Sequence, residues 1–179
     1  MESEPRILVT AFTSFGRFSV NPSALLAERL GVPFQLLEVS YVAADLFVAS
    51  LDENDFDLAI HLGVAGNSSD FRLETVARNR LDAIPDVRGH IPMKLLIDDT
   101  APAALNGTLW PAELLAHPPA SVIPSDDAGG YLCNYLYFRI LQRFPHKEIG
   151  FLHVPPLEKI GLDEQERIAR EVFARSTRR

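Results

Sequence analysis

Short apolar runs alternate with stretches whose apolar positions recur every three or four residues. Arg6-Ile7-Leu8-Val9-Thr10, Phe34 to Val39, Asp57 to Gly63, Ala120 to Ile123 and Ile149 to Val154 read as buried strands. The first helix opens at Asn21-Pro22-Ser23, with Asn as cap and Pro at the first helical position, continues to Leu30 and stops at Gly31. Ala43 to Leu51 reads as a second helix. After the turn Asp126-Asp127-Ala128-Gly129-Gly130, the residues Cys133, Leu136, Tyr137, Ile140, Leu141 and Phe144 recur at helical spacing. A last amphipathic helix spans about Asp163 to Ala174, with Asp163 as its expected cap. This alternation predicts parallel βαβ units and an α/β fold. No repeat or linker interrupts it, so residues 1–179 are expected to form a single domain.

The pattern is weaker in places. Phe71 to Asn79 fits a strand or a short helix, and periodicity does not decide. Ala11 to Ser19 reads as a loop despite Phe12, Phe15 and Phe18, and Asp82 to Pro92 as another. Residues 100–120 are expected to hold only a short helix around Pro111 to Ala116.

Composition narrows the function. With 179 residues, 47% hydrophobic and 23% charged, the chain can bury one substantial core. A net charge of −7 argues against nucleic acid as a partner. No apolar run is long enough to cross a bilayer, and Met1 to Arg6 lacks the pattern of a signal peptide. Both point to the cytoplasm and away from a membrane. The terminal Ser176-Thr177-Arg178-Arg179 reads as a frayed end. One cysteine excludes an internal disulfide and a thiolate zinc site of its own. His61, His90, His117 and His146 show no ligand spacing, so no metal is expected.

That cysteine, Cys133, follows a Gly-Gly turn and starts a helix, where unpaired N–H groups and the helix dipole favour a thiolate and an oxyanion. Asp126 and Asp127 oppose this if they point inward. His153 ends a strand before Pro155-Pro156, at the strand edge where α/β ligand crevices form; a histidine satisfied by backbone contacts is the plainer alternative. Glu74 lies among apolar neighbours, and a simple ion pair with Arg72 or Arg78 accounts for it equally well. Asp98-Asp99 reads as a solvated turn. Gly63-Val64-Ala65-Gly66 lacks the spacing of a phosphate loop.

Four ordered segments together resemble the pyroglutamyl peptidase (pyrrolidone-carboxylate peptidase) family of cysteine peptidases. They are Ile7 to Gly16 with Val20-Asn21-Pro22-Ser23, Leu73 to Asn79 followed by Ile84-Pro85-Asp86, Ser125 to Asn134, and Gly150 to Pro155. The resemblance implies a three-layer α/β/α sandwich with a mostly parallel twisted sheet. It implies Cys133 as nucleophile, His153 as base and then acid, and Glu74 orienting the imidazole. It also implies an apolar slot for a five-membered lactam, formed by Phe12, Phe15, Val64, Ile84, Tyr131 and Leu132. The implied substrate is a small peptide with a blocked N-terminus or a related small amide. No cofactor is implied, and a homo-oligomer (dimer or tetramer) is, with Phe18 as an exposed contact.

Several positions depart from the family pattern. Val64 stands for a pocket Gln, Ser68 and Ala83 for Arg, Asp127 and Gly130 for Thr, and Ala11 and Arg17 for Gly. They lead to the expectation of altered or reduced specificity. The alternative is a catalytically weak or inactive homologue that binds a ligand or partner.

Overall fold

The computed structural model describes residues 5–177; Met1 to Glu4 and Arg178-Arg179, which belong to the signal-peptide and frayed-end readings, lie outside it. The central strands are β1 (Ile7–Phe12), β2 (Phe34–Leu37), β3 (Leu58–Val64), β4 (Phe71–Glu74), β7 (Val122–Ser125) and β8 (Glu148–Val154). They form one sheet in the order β2-β1-β3-β8-β4-β7. The first four in that order are mutually parallel, β4 runs antiparallel to β8, and β7 runs parallel to β4. Two short strands, β5 (Val76–Arg78) and β6 (Ala104–Asn106), pair separately and antiparallel.

Helices cover both faces, giving the three layers. On one side α1 (Pro22–Leu30), α3 (Ala112–Ala116) and α5 (Leu162–Ser176) pack over Val9, Ile60, Leu62 and Leu152. On the other, α2 (Tyr41–Ser50) and α4 (Leu132–Arg143) pack over Ala59, Ile149 and Phe151. Every residue of β3 is buried, as a parallel strand covered on both faces must be.

Several boundaries follow the predicted signals. Asn21 caps α1 by accepting from Ser23 N–H, Pro22 is its first residue, and Gly31 ends it at φ 69°, a left-handed conformation that glycine adopts without strain. Other expectations are corrected. Ala11 and Phe12 extend β1, because they pair with Leu36 and Leu37. The Phe71 to Asn79 segment is two strands, broken where Thr75 N–H donates to the Ser125 carbonyl at 2.7 Å. The 100–120 stretch holds β6 as well as α3. Asp163 does not cap α5: Gly161 does, and Asp163 ion-pairs with Arg29 of the neighbouring helix. Ser176 is buried at the end of α5, where its hydroxyl donates to the Val172 carbonyl, so the described part of that terminus is helical.

Candidate active site

His153, Glu74 and Cys133 arrive on three separate elements. The β4–β8 ladder sets Arg72 opposite His153 and Glu74 opposite Phe151. Directly opposed residues share a face of the sheet, so these four side chains project together towards α4. Cys133 is the second residue of that helix. Its cap residue Tyr131 makes no side-chain capping bond, which leaves the first-turn N–H groups to other acceptors.

Cys133 can approach the sheet because Gly63 lies beneath it. Gly63 pairs with His153 in the β3–β8 ladder. A Cβ at this position would sit 2.7 Å from Cys133 Sγ and 2.9 Å from the Phe151 ring. Asn134, the next residue of α4, is fully buried; it accepts from Arg78 N–H at 2.8 Å and donates to the carbonyls of Arg78 and Arg80. These bonds tie the first turn of α4 to β5.

His153 Nδ1 is 2.8 Å from Glu74 Oε1, so the other ring nitrogen is the one left for Cys133. Burial pushes the imidazole down. The charge of the Cys133 sulfur, its hydrogen bond to the ring, and then Glu74 outweigh this and hold it up at about 9, against an ordinary 6.5. Glu74 is itself clamped: Tyr137 Oη (2.9 Å) and Trp110 Nε1 (3.0 Å) both donate to its main-chain carbonyl. The ion pair expected as the plainer account of Glu74 is also present, with Arg72 Nε 3.2 Å from the same Oε1. Asp126 and Asp127 are ion-paired with Arg78 and Arg80, each at 3.1 Å. Asp98 accepts from Thr100 and Gln142 in a turn.

Cys133 and His153 face a cleft of about 930 Å³. The loop after β1 contributes Phe15 and Phe18, the loop after β3 contributes residues 64–70, and the turn before α4 contributes residues 126–129 with Tyr131. Of the slot residues expected from sequence, Phe15, Val64 and Tyr131 line this cleft. Phe12 and Leu132 do not, since both are buried in the core beside Tyr41 and Leu37. Ile84 lies outside the lining and is largely exposed. Phe18 is half-buried: its ring packs on Phe15 at 5.6 Å, with the Arg17 guanidinium over it. Arg17 also donates to the Gly66 carbonyl at 2.5 Å.

Sequence reasoning missed Gly63, Asn134 and Arg72 as site residues. Arg72 carried a readable signal, because it alternates with Glu74 along one strand and therefore shares its face. Among the described residues no cluster of His, Cys, Asp or Glu could hold a metal, and no helix is long and apolar enough to cross a membrane.

A cysteine at a helix start and a histidine bonded to a buried glutamate, facing one cleft of an α/β/α frame, form the arrangement of a cysteine hydrolase. The pyroglutamyl peptidase family model matches residues 5–171. Pyrrolidone-carboxylate peptidase 1 of Caldanaerobacter subterraneus subsp. tengcongensis is 34% identical, covering 89% of this chain and 86% of its own. The pyrrolidone-carboxylate peptidase of Bacillus subtilis is 31% identical, covering 89% and 82%. Among solved structures, the pyrrolidone carboxyl peptidase of Thermus thermophilus superposes with a TM-score of 0.82 at 32% identity, covering 95% of this chain and 99% of the other. That of Thermococcus litoralis gives 0.83 at 26%, covering 96% and 93%. The chain belongs to the pyroglutamyl peptidase family.

Proposed function

We propose that this protein removes an N-terminal pyroglutamyl residue from peptides through a Cys133 acyl-enzyme. The supporting observation is the His153 ring bonded to Glu74, with Cys133 beside it at the wall of the same open cleft. In the first step the Cys133 thiolate attacks the pyroglutamyl α-carbonyl carbon, and the oxyanion takes N–H groups of the first turn of α4. The imidazolium of His153 then gives its proton to the departing amine as the C–N bond breaks, leaving a thioester. Water, losing a proton to His153, hydrolyses the thioester and frees pyroglutamate and the thiol. Glu74 keeps the ring aligned and balances its charge through both steps.

In this reading Phe15, with Phe18 behind it, and Tyr131 grip the lactam ring, and Val64 forms an apolar wall. Asn67 and Ser68 on the same rim supply polar groups to match its N–H and C=O. Neither the cleft nor the comparisons show an altered specificity. The assembled ion pair does not favour a silent homologue. No cofactor enters any step. The proposal extends to one domain over residues 1–179, a cytoplasmic location and a homo-oligomer. Release of fluorophore from a pyroglutamyl amide, absent in Cys133→Ala, tests it; no release by the intact protein from any pyroglutamyl amide would sink it.

A further inference from the structure

Glu74 is a fully buried carboxylate, and its bonds are lopsided. Oε1 is hydrogen-bonded to the His153 imidazole and ion-paired with Arg72, whose Nε lies 3.2 Å away, whereas Oε2 has no hydrogen-bond donor. A thiolate at Cys133, an imidazolium at His153 and this carboxylate sum to one negative charge. Uncompensated charge inside a protein is costly. Arg72 brings the sum to zero.

The neighbouring groups leave that task to Arg72. Asp126 and Asp127, in the turn before α4, are paired with Arg78 and Arg80. From α4, Tyr137 donates to the Glu74 main chain, and Tyr131, nearer the cleft, donates to the Pro85 carbonyl. From β3, His61 is buried and held low at about 3, hence neutral. Asp70, on the loop before β4, lines the cleft and adds a further negative charge. Arg72 also does something mechanical: its guanidinium donates to Ser125 Oγ at 2.5 Å and to the Asp127 carbonyl at 2.7 Å. Those residues begin the turn that delivers Cys133.

We propose that Arg72 is a positioning residue, whose guanidinium neutralises Glu74 and clamps the Ser125–Gly130 turn so that Cys133 and His153 meet as an ion pair without net buried charge. The proposal rests on the roles given above to Cys133, His153 and Glu74.

The chain's single cysteine makes the test direct, since alkylation by iodoacetamide reads Cys133 alone and needs no substrate. The alkylation rate is followed against pH in the intact protein and in Arg72→Gln, Arg72→Lys and Ser125→Ala, with near-ultraviolet circular dichroism to verify the fold. Removing a cation beside the site moves the midpoint of the alkylation profile to higher pH by about one unit in Arg72→Gln. Lysine, which restores the charge without the fork, returns the midpoint to within a few tenths of the original. Ser125→Ala, which loosens the clamp and spares the charge, lowers the rate and leaves the midpoint in place. In a Glu74→Gln background, Arg72→Gln produces a much smaller further shift.

Coincident midpoints for the intact protein and a folded Arg72→Gln would overturn the proposal, and so would an undiminished shift in the Glu74→Gln background. If the glutamine variant does not fold, a midpoint displaced by a full unit in folded Arg72→Lys overturns it instead. Failure of the intact protein to cleave pyroglutamyl amides would remove the substrate reading, while the alkylation profiles still decide on Arg72.

Discussion

Replacing Gly63 by alanine adds one methyl group at the contact that allows α4 to seat its cysteine on the sheet. The new carbon would lie 2.7 Å from Cys133 Sγ and 2.9 Å from two atoms of the Phe151 ring. Ordinary contact is near 3.5–4.0 Å, so the overlap is about 1 Å. Neither neighbour can retreat easily. Phe151 is fully buried in β8, and Cys133 is fixed by the helix start that Asn134 ties to β5. Overpacking of this kind costs about 1–3 kcal/mol. For a chain of this size that lowers Tm by roughly 2–12 °C. The catalytic loss should be larger than the stability loss implies, because a displacement of about 1 Å at the reacting atoms costs on the order of 10² in rate. Thermal unfolding and turnover of a pyroglutamyl amide, measured on the same preparation, separate the two effects. A Gly63→Ala protein with unchanged Tm and unchanged kcat would show that the helix start does not bear on β3 as described.

Other perturbations give distinct readouts. His153→Ala should abolish the fast alkylation of Cys133 near neutral pH, and persistence of that reactivity would separate the sulfur from the ring. Glu74→Gln should lower kcat by about 10² with little change in KM, since it removes charge behind the imidazolium without touching substrate; an unchanged kcat would dismiss Glu74. His153 is held at about 9, above its ordinary 6.5. The stability this pairing contributes is therefore complete below pH 6.5 and lost as pH rises through 9. Tm should fall across that window in the intact protein and fall less in Cys133→Ala, where the sulfur no longer supports the imidazolium; parallel profiles would contradict this. Phe15→Ala should raise KM for pyroglutamyl substrates about tenfold through lost apolar contact, and an unaltered KM would move the lactam elsewhere in the cleft.

The parts of the fold that were legible in sequence are those with strong local signals. Asn21-Pro22 and Gly31 bracket α1, and the apolar runs of β3 and β8 mark the buried centre. The illegible parts depend on partners distant in sequence. Ala104-Leu105-Asn106 has no strand signature and becomes a strand only because Val76–Arg78 pairs with it. The reversal of β4 against β8 has no local signal either, since strand direction is a property of the ladder. The site divides in the same way. Cys133, His153 and Glu74 stand in segments whose order along the chain is informative. Arg72 matters because antiparallel pairing sets it across from His153, a relation visible only once the sheet is assembled. The slot was misread at Phe12 and Leu132 for a related reason: apolar side chains beside a site are also what a core needs, and these two serve the core.

The reversed strand has a kinetic consequence. The bond between Glu74 and His153 closes a separation of 79 residues, across the antiparallel seam of the sheet. Contacts this far apart in sequence form late, after the nearer parallel units have reduced the loop to be closed. A one-residue slip at that seam would also carry Glu74 to the opposite face. During refolding, then, helix content and burial of the apolar layers should recover before Cys133 becomes reactive. The chain's only thiol therefore reports when this long-range seam has closed.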